Sequence, residues 1–351
     1  MGQVGAPLLD AVVAWLLDGD IAVQHQARRD LLDDDRPDLL SRVATQGRAG
    51  EILAARTHGG WGRGFYQPKW TCTHYSLLEL RDLGVAPDHP PCTRAVSTAL
   101  DENLCDDGGI NPADSVKVSD VCMNGMFLAY ACYFGEEAPS LDSVIDFVLH
   151  QELPGGGFNC RSNRAGARVA SVHSTTSVID GLGEYVRSGR RYRADDARRA
   201  IDTATEVLLE RHLYQRRSDG TAIRAELTRL HHPARWYFDV LHGLDVLRST
   251  GASYDPRLED ALDILRGRRR ADGRWAAAAQ YAGQTHVTYP RAGEPNRWVT
   301  LRALRALRYF DERRAALGVA SAETHAAGAP SEDGAPAASD HHLWSQGDSN
   351  P

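Results

Sequence analysis

Strand signals, membrane-length apolar runs and surplus positive charge are all scarce in this chain of 351 residues. No apolar stretch approaches the roughly 20 residues that span a bilayer, so no integral membrane segment is expected. The opening Met1-Gly2-Gln3-Val4-Gly5 lacks the charged start and cleavage site of a signal peptide. Gly2 is not followed by Ser or Thr at position 6, which removes the myristoylation pattern. A cytoplasmic location is the resulting expectation. Net charge is −7, and residues 319–351 hold five acids with no Lys or Arg, which leaves the rest near −2. A body so close to neutral has no broad basic field, so no nucleic-acid partner is expected. Six cysteines, at 72, 92, 105, 122, 132 and 160, are scattered rather than framed as a disulfide scaffold. Each is then a buried small hydrophobe or a ligand.

What is present is repetition. Gly59-Gly60-Trp61, Gly108-Gly109-Ile110 and Gly156-Gly157-Phe158 are versions of one turn, with weaker copies at Asp219-Gly220 and Asp272-Gly273-Arg274-Trp275. The glycines at 60, 109, 157, 220 and 273 lie 49, 48, 63 and 53 residues apart. A period near that length marks stacked helical hairpins. The helix entering each turn is amphipathic: Leu141, Val144, Ile145, Val148 and Leu149 follow helical spacing, as do Leu258, Ala261, Leu262 and Leu265. The helix leaving each turn is apolar on most sides, over 75–80, 123–131, 175–182, 238–247 and 298–307. An amphipathic helix belongs at the periphery and an all-apolar one in the interior. The expected class is all-α, a ring of hairpins over residues 49–318 with N-terminal helices at 1–48 packed on it. Residues 319–351, rich in Ala, Gly, Ser and Pro, are expected to be a disordered tail.

The interior helices carry a chemical pattern as well. Registering 73–80, 122–129 and 175–182 on one another places Asp120-x-Cys122 and His173 at the heads of neighbouring interior helices. A carboxylate, a thiolate and an imidazole converging on one hollow make a three-ligand set with an open position, the arrangement of a catalytic zinc. The same residues also fit ordinary roles: Cys122 as packing, Asp120 as a helix cap, His173 as a hydrogen-bonded cavity residue. Cys160 stands as a fourth metal ligand or a buried thiol. Aromatics make up only 7 % of the chain, yet they gather at turns and helix starts, among them Trp70, Tyr75, Trp236 and Tyr237. Arg235-Trp236 and Arg297-Trp298 recur as pairs after Pro233 and Pro295, which suggests helix starts facing the cavity.

These Gly-Gly-aromatic turns, about fifty residues apart, resemble those of the α/α-toroid superfamily, which holds squalene and oxidosqualene cyclases and the β subunits of protein prenyltransferases. The resemblance covers roughly residues 50–310 and implies a compact single α/α toroid. Asp120-x-Cys122 with His173-Ser-Thr-Thr-Ser-Val-Ile-Asp-Gly181-Leu182 is similar to the prenyltransferase zinc site and implies a zinc cofactor. Gly157-Phe158-Asn159-Cys160-Arg161-Ser162-Asn163-Arg164 resembles the segment that holds an isoprenoid diphosphate, which implies that role for Arg161 and Arg164. In the prenyltransferases that segment runs directly into Asp-x-Cys, whereas here it runs into Ser171-Val172-His173; a solvated loop is the other reading. The Asp-x-Asp-Asp acid of squalene-type cyclases does not occur in this sequence. The resemblance implies an enzyme acting on an isoprenoid or comparable apolar molecule in a central cavity. A terpenoid cyclase with a different acid, Asp120 before Asp180 or Asp239, and a non-catalytic binding module remain alternatives. Protein prenyltransferases pair the toroid with a second subunit; whether this chain has one stays open.

Overall fold

The computed structural model describes residues 6–57, 59–111, 118–137 and 139–318, so the expected tail at 319–351 lies outside the described residues. In chain order the helices are α1 (Ala6–Leu17), α2 (Ile21–Leu32), α3 (Pro37–Val43), α4 (Gly47–Ala54), α5 (Thr73–Asp82), α6 (Pro90–Asn103) and α7 (Val121–Tyr133). They continue as α8 (Ser140–His150), α9 (Ser162–Ala165), α10 (Val172–Arg187), α11 (Ala194–Leu209), α12 (Val240–Ser249), α13 (Glu259–Gly267) and α14 (Arg297–Ala316). The fold is all-α, an α/α toroid. Among the described residues β-pairing is confined to four isolated bridges.

The apolar helices form the inner ring. α5 packs on α7, α7 on α10, α10 on α12, α12 on α14, and α14 on α2. Gln26 of α2 then donates to the Asp82 carbonyl at the end of α5 over 2.9 Å, which closes the circle. Inner α7 is buried from Met123 through Cys132 without interruption. Outer α11 instead buries Ala194, Ala197, Ala200, Ala204, Val207 and Leu208 and leaves Arg198 and Arg199 in solvent. That is the division that the two hydrophobic patterns require.

Each hairpin is locked to its turn by one inner-helix side chain. Thr73 Oγ1 accepts from the Trp61 N–H at 3.0 Å and donates to the Trp61 carbonyl at 3.3 Å. Asn124 makes the same pair with Ile110 at 2.7 and 2.9 Å, and Thr175 with Phe158 at 3.1 and 3.2 Å. Thr300 repeats it on Trp275 at 3.0 and 3.4 Å. Trp61 and Trp275 are wedged beneath, their indole N–H groups on the Ile52 and Leu265 carbonyls. In α12 the fourth residue of the helix, the place of the clasp in α7, α10 and α14, is Gly243, which has no side chain to make it.

This clasp corrects the register read from the sequence. Asn124, not Cys122, is the counterpart of Thr73 and Thr175. The equivalent of His173 is therefore Cys122, each the second residue of its helix, while Asp120 matches Ser171 as the residue before it.

The closest inner-ring contact is backbone against backbone. A Cβ on Gly125 would lie 2.6 Å from the Ser177 carbonyl oxygen, and one on Gly181 would fall inside the shell of the Gly125 carbonyl. Neither can be accommodated without separating α7 from α10. Gly181→Ala is expected to lower the unfolding free energy by roughly 1–3 kcal/mol, the usual scale of overpacking, measured by denaturant unfolding.

Candidate functional site

The heads of the inner helices and the loops before them form one mouth of the ring. Trp70, just ahead of α5, packs edge-on to Tyr75 with ring centres 4.7 Å apart, and its indole N–H donates to the Ala282 carbonyl at 2.8 Å. Tyr75 shares a 2.6 Å hydrogen bond with Tyr66. Trp236 stacks on Tyr237 at 3.9 Å, and Tyr237 on Tyr281 at 3.5 Å, nearly parallel. His231 extends the stack at 4.7 Å from Tyr281. Trp70 and Tyr237 meet at 6.3 Å, which joins the two groups into one aromatic band. Trp236 and Tyr237 are half-buried, and the Trp236 indole N–H has no hydrogen-bond partner.

Against this band lie the heads of α7 and α10. Asp120 holds the N-cap position of α7 without a side-chain capping bond and is 2 % exposed. Cys122 and Cys160 are hydrogen-bonded thiols; that bond, burial and the neighbouring Asp120 push the Cys122 thiol well above its ordinary range. The Ser119 carbonyl accepts from Asn163 at 2.9 Å, which ties the loop carrying Cys160 to the head of α7. His173 lies among Trp236, Tyr237 and Phe238, with its Nδ1 accepting the Phe238 N–H at 2.8 Å.

The zinc set expected from the sequence is not drawn into one cluster here. Among the described residues no three His, Cys, Asp or Glu side chains are grouped to hold a metal ion. The His173 bond gives the reason. A ring nitrogen that accepts an N–H leaves the proton of the neutral imidazole on the other nitrogen, whereas a metal-bound histidine donates from its non-ligating nitrogen. Asp120, Cys122 and Cys160 stand together at the head of α7, and His173 stands at the head of the adjoining α10.

The other expected binding residues divide. Arg235 is buried and turned inward: its Nη1 donates to Glu79 at 3.1 Å, Tyr289 binds the other oxygen of the same carboxylate, and the guanidinium lies 5.3 Å from the Trp70 ring. Arg297 faces the periphery, not the cavity, because α1 offers it the Trp15 ring at 4.5 Å and the Trp15 carbonyl at 3.0 Å. Trp298 is buried and stacked on His232 at 5.4 Å. Arg161 is half-buried ahead of α9, and the side chain of Arg164 lies outside the described residues. Sequence reasoning missed Glu79, Tyr281 and Tyr289. An acid inside the apolar run of α5 was the available signal for Glu79; the two tyrosines come from an aperiodic loop that gave none.

Behind the mouth, the six inner helices line a cavity of about 200 Å³ that opens to solvent. Its wall is largely ionic. Arg81 grips Asp180 with two 2.7 Å bonds and Glu184 with a third at 3.0 Å. Asp245 receives Arg248 at 2.9 Å, Arg302 at 2.9 Å and Arg305 at 2.8 Å. Burial alone would raise the Asp245 carboxyl; the guanidiniums of Arg305, Arg248 and Arg302 outweigh it and hold it well below its ordinary value. Burial pushes His242 in the same wall down to about 4, so the ring is neutral at pH 7.

No protein-family model and no curated protein matches the chain. Among solved structures it is similar to a polysaccharide lyase at 11 % identity, covering 90 % of this chain and 99 % of that one, with a TM-score of 0.48. A protein from Actinoplanes matches at 15 % identity over 87 % and 99 %, TM-score 0.45. The type II terpene cyclase MstE from Scytonema matches at 15 % over 78 % and 98 %, TM-score 0.34. Likenesses this distant transfer no site residue and carry no argument about chemistry.

Asp245→Asn leaves three arginines facing a neutral amide. It is expected to cost about 3–5 kcal/mol at pH 7, read from urea unfolding. The folded-state value of Asp245 lies below the unfolded value near 3.8, so its contribution is present above that pH and is lost as pH falls. The gap between wild type and variant should therefore narrow below about pH 4.

Proposed function

We propose that the protein is an α/α-toroid enzyme that lays an isoprenoid-like apolar chain along the aromatic mouth and uses Asp120 as its proton donor. The observation that carries this reading is the continuous band of Trp70, Tyr237, Trp236 and Tyr281, with His173 of α10 among its rings and the buried Asp120 at the head of the adjoining α7. Aromatic faces suit both an apolar chain and a cation developing on it. Two other buried acids, Asp180 and Asp239, are held as anions. Burial would raise Asp180 and Asp239, but Arg81 holds the first below its ordinary value and His231 the second. Asp239 is further tied to the His231 and His242 N–H groups, each at 2.8 Å.

In the proposed step the Asp120 carboxyl gives its proton to one carbon of a C=C bond. The π pair becomes the new C–H bond, and the neighbouring carbon becomes a cation facing the aromatic rings. Closure by a second C=C and return of a proton to the carboxylate complete the cycle without an external oxidant or reductant. The ionic bore behind the mouth would repel the chain and keep it at the band.

Purified protein incubated with linear C15–C30 isoprenoids is expected to yield cyclised products by gas chromatography and mass spectrometry. Asp120→Asn should reduce turnover at least about 100-fold, the scale of one general acid, at unchanged melting temperature. Full activity in that variant removes Asp120 from the mechanism. Saturable binding with no product from any chain length would instead support a binding module on the same scaffold.

A further inference from the structure

A second feature of the molecule has no part in that chemistry. Arg211 follows the last turn of α11 and is only 4 % exposed, yet no carboxylate pairs with it and its Nε has no hydrogen-bond partner. A guanidinium stays charged when buried, and an uncompensated buried charge costs several kcal/mol unless something supplies the counter-charge. Arg211 lines a cavity of about 130 Å³ between the α11–α12 connection and the loop before α10. Since a water occupies about 30 Å³ of liquid, this space exceeds one or two waters.

The rest of the lining has the same sign. No Asp or Glu contributes to it, and Arg168 stands exposed at its rim. Ser171, the N-cap residue, and Val172, the first residue of the sixteen-residue α10, form one wall, and the Ser171 side chain makes no capping bond to the helix. The cavity therefore lies against the N-terminus of α10, the positive end of a helix, which is the kind of terminus that receives anions. Loop residue Asn159 completes the rim, its amide fixed on the Val169 carbonyl at 2.8 Å.

From the buried guanidinium, the uncapped helix head and the cavity between them we infer that this is a binding site for a phosphate-class oxyanion, held by Arg211 and the first N–H groups of α10. A planar fork of donors opposite a diverging set of amides matches a tetrahedral oxyanion. The site sits behind the helix turn that carries His173, so its occupant fixes the angle at which α10 enters the mouth. It does not depend on the isoprenoid reading and stands or falls separately from it.

The test is thermal unfolding of the full chain against inorganic phosphate, with chloride at matched ionic strength. A saturable rise in melting temperature is expected with phosphate and not with chloride. Arg211→Met, similar in length and without charge, should weaken the apparent affinity at least tenfold while melting no lower than wild type in the absence of phosphate. Glycerol 3-phosphate at the same concentrations separates an ester from the free ion, by whichever binds more tightly. Hydrogen exchange on the wild-type chain decides the matter even if the variant fails to fold: phosphate should protect the amides of 167–174. No phosphate effect beyond chloride, an equal effect in Arg211→Met, or protection confined to other segments overturns the site.

Discussion

The reciprocal clasp between an inner helix and the turn that precedes it governs this molecule. One short polar side chain, Thr73, Asn124, Thr175 or Thr300, satisfies both the N–H and the carbonyl of the residue at the bottom of its turn. Those backbone groups are buried, and leaving them unmade would cost more than making them gains. The clasp therefore fixes not only that each hairpin forms but how far along its axis each inner helix slides. Whatever stands two residues upstream of the clasp is presented to the ring at the same height. That is why Cys122, His173 and Trp298 occupy matching levels, with different chemistry placed on a common frame.

The frame divides the interior into two media. At the mouth, apolar rings stack and few charges enter; Arg235 does so only with Glu79 and Tyr289 closed around it. In the bore, carboxylates and guanidiniums from separate helices neutralise one another. Ion pairs buried in this way contribute modestly to stability, since desolvation offsets much of their attraction, but they oppose any shift that would leave a charge unpaired. The bore thereby holds the angular order of the helices while the mouth stays free to differ in composition.

The architecture was legible because its signal is repeated: glycine turns near a fifty-residue step and two alternating hydrophobic patterns need no tertiary information. The mouth was legible in part. Asp120, Cys122 and His173 stand at the heads of α7 and α10, but registering 122–129 on 73–80 and 175–182 put the α7 register two residues out, since Asn124 replaces the threonine that marks the clasp elsewhere. The pairs Arg235-Trp236 and Arg297-Trp298 look alike in sequence and part company in space, because Glu79 awaits the first arginine and Trp15 the second. Arg211 was invisible: in the sequence it is one arginine among many, and only the packing of α11 against α10 deprives it of water and partner.

The ring is sealed by residues that stand far apart in the chain. Arg305 of α14 reaches Gln26 at 3.0 Å and Asp30 at 3.2 Å on α2, across separations of 279 and 275 residues, and Arg308 adds Asp33 at 2.7 Å. During synthesis the second helix must wait, with one flank bare, until α14 has left the ribosome. Such late, distant pairing slows folding and prolongs exposure of the unfinished seam. Until then the growing chain is an open arc, and the enclosure exists only once α14 docks.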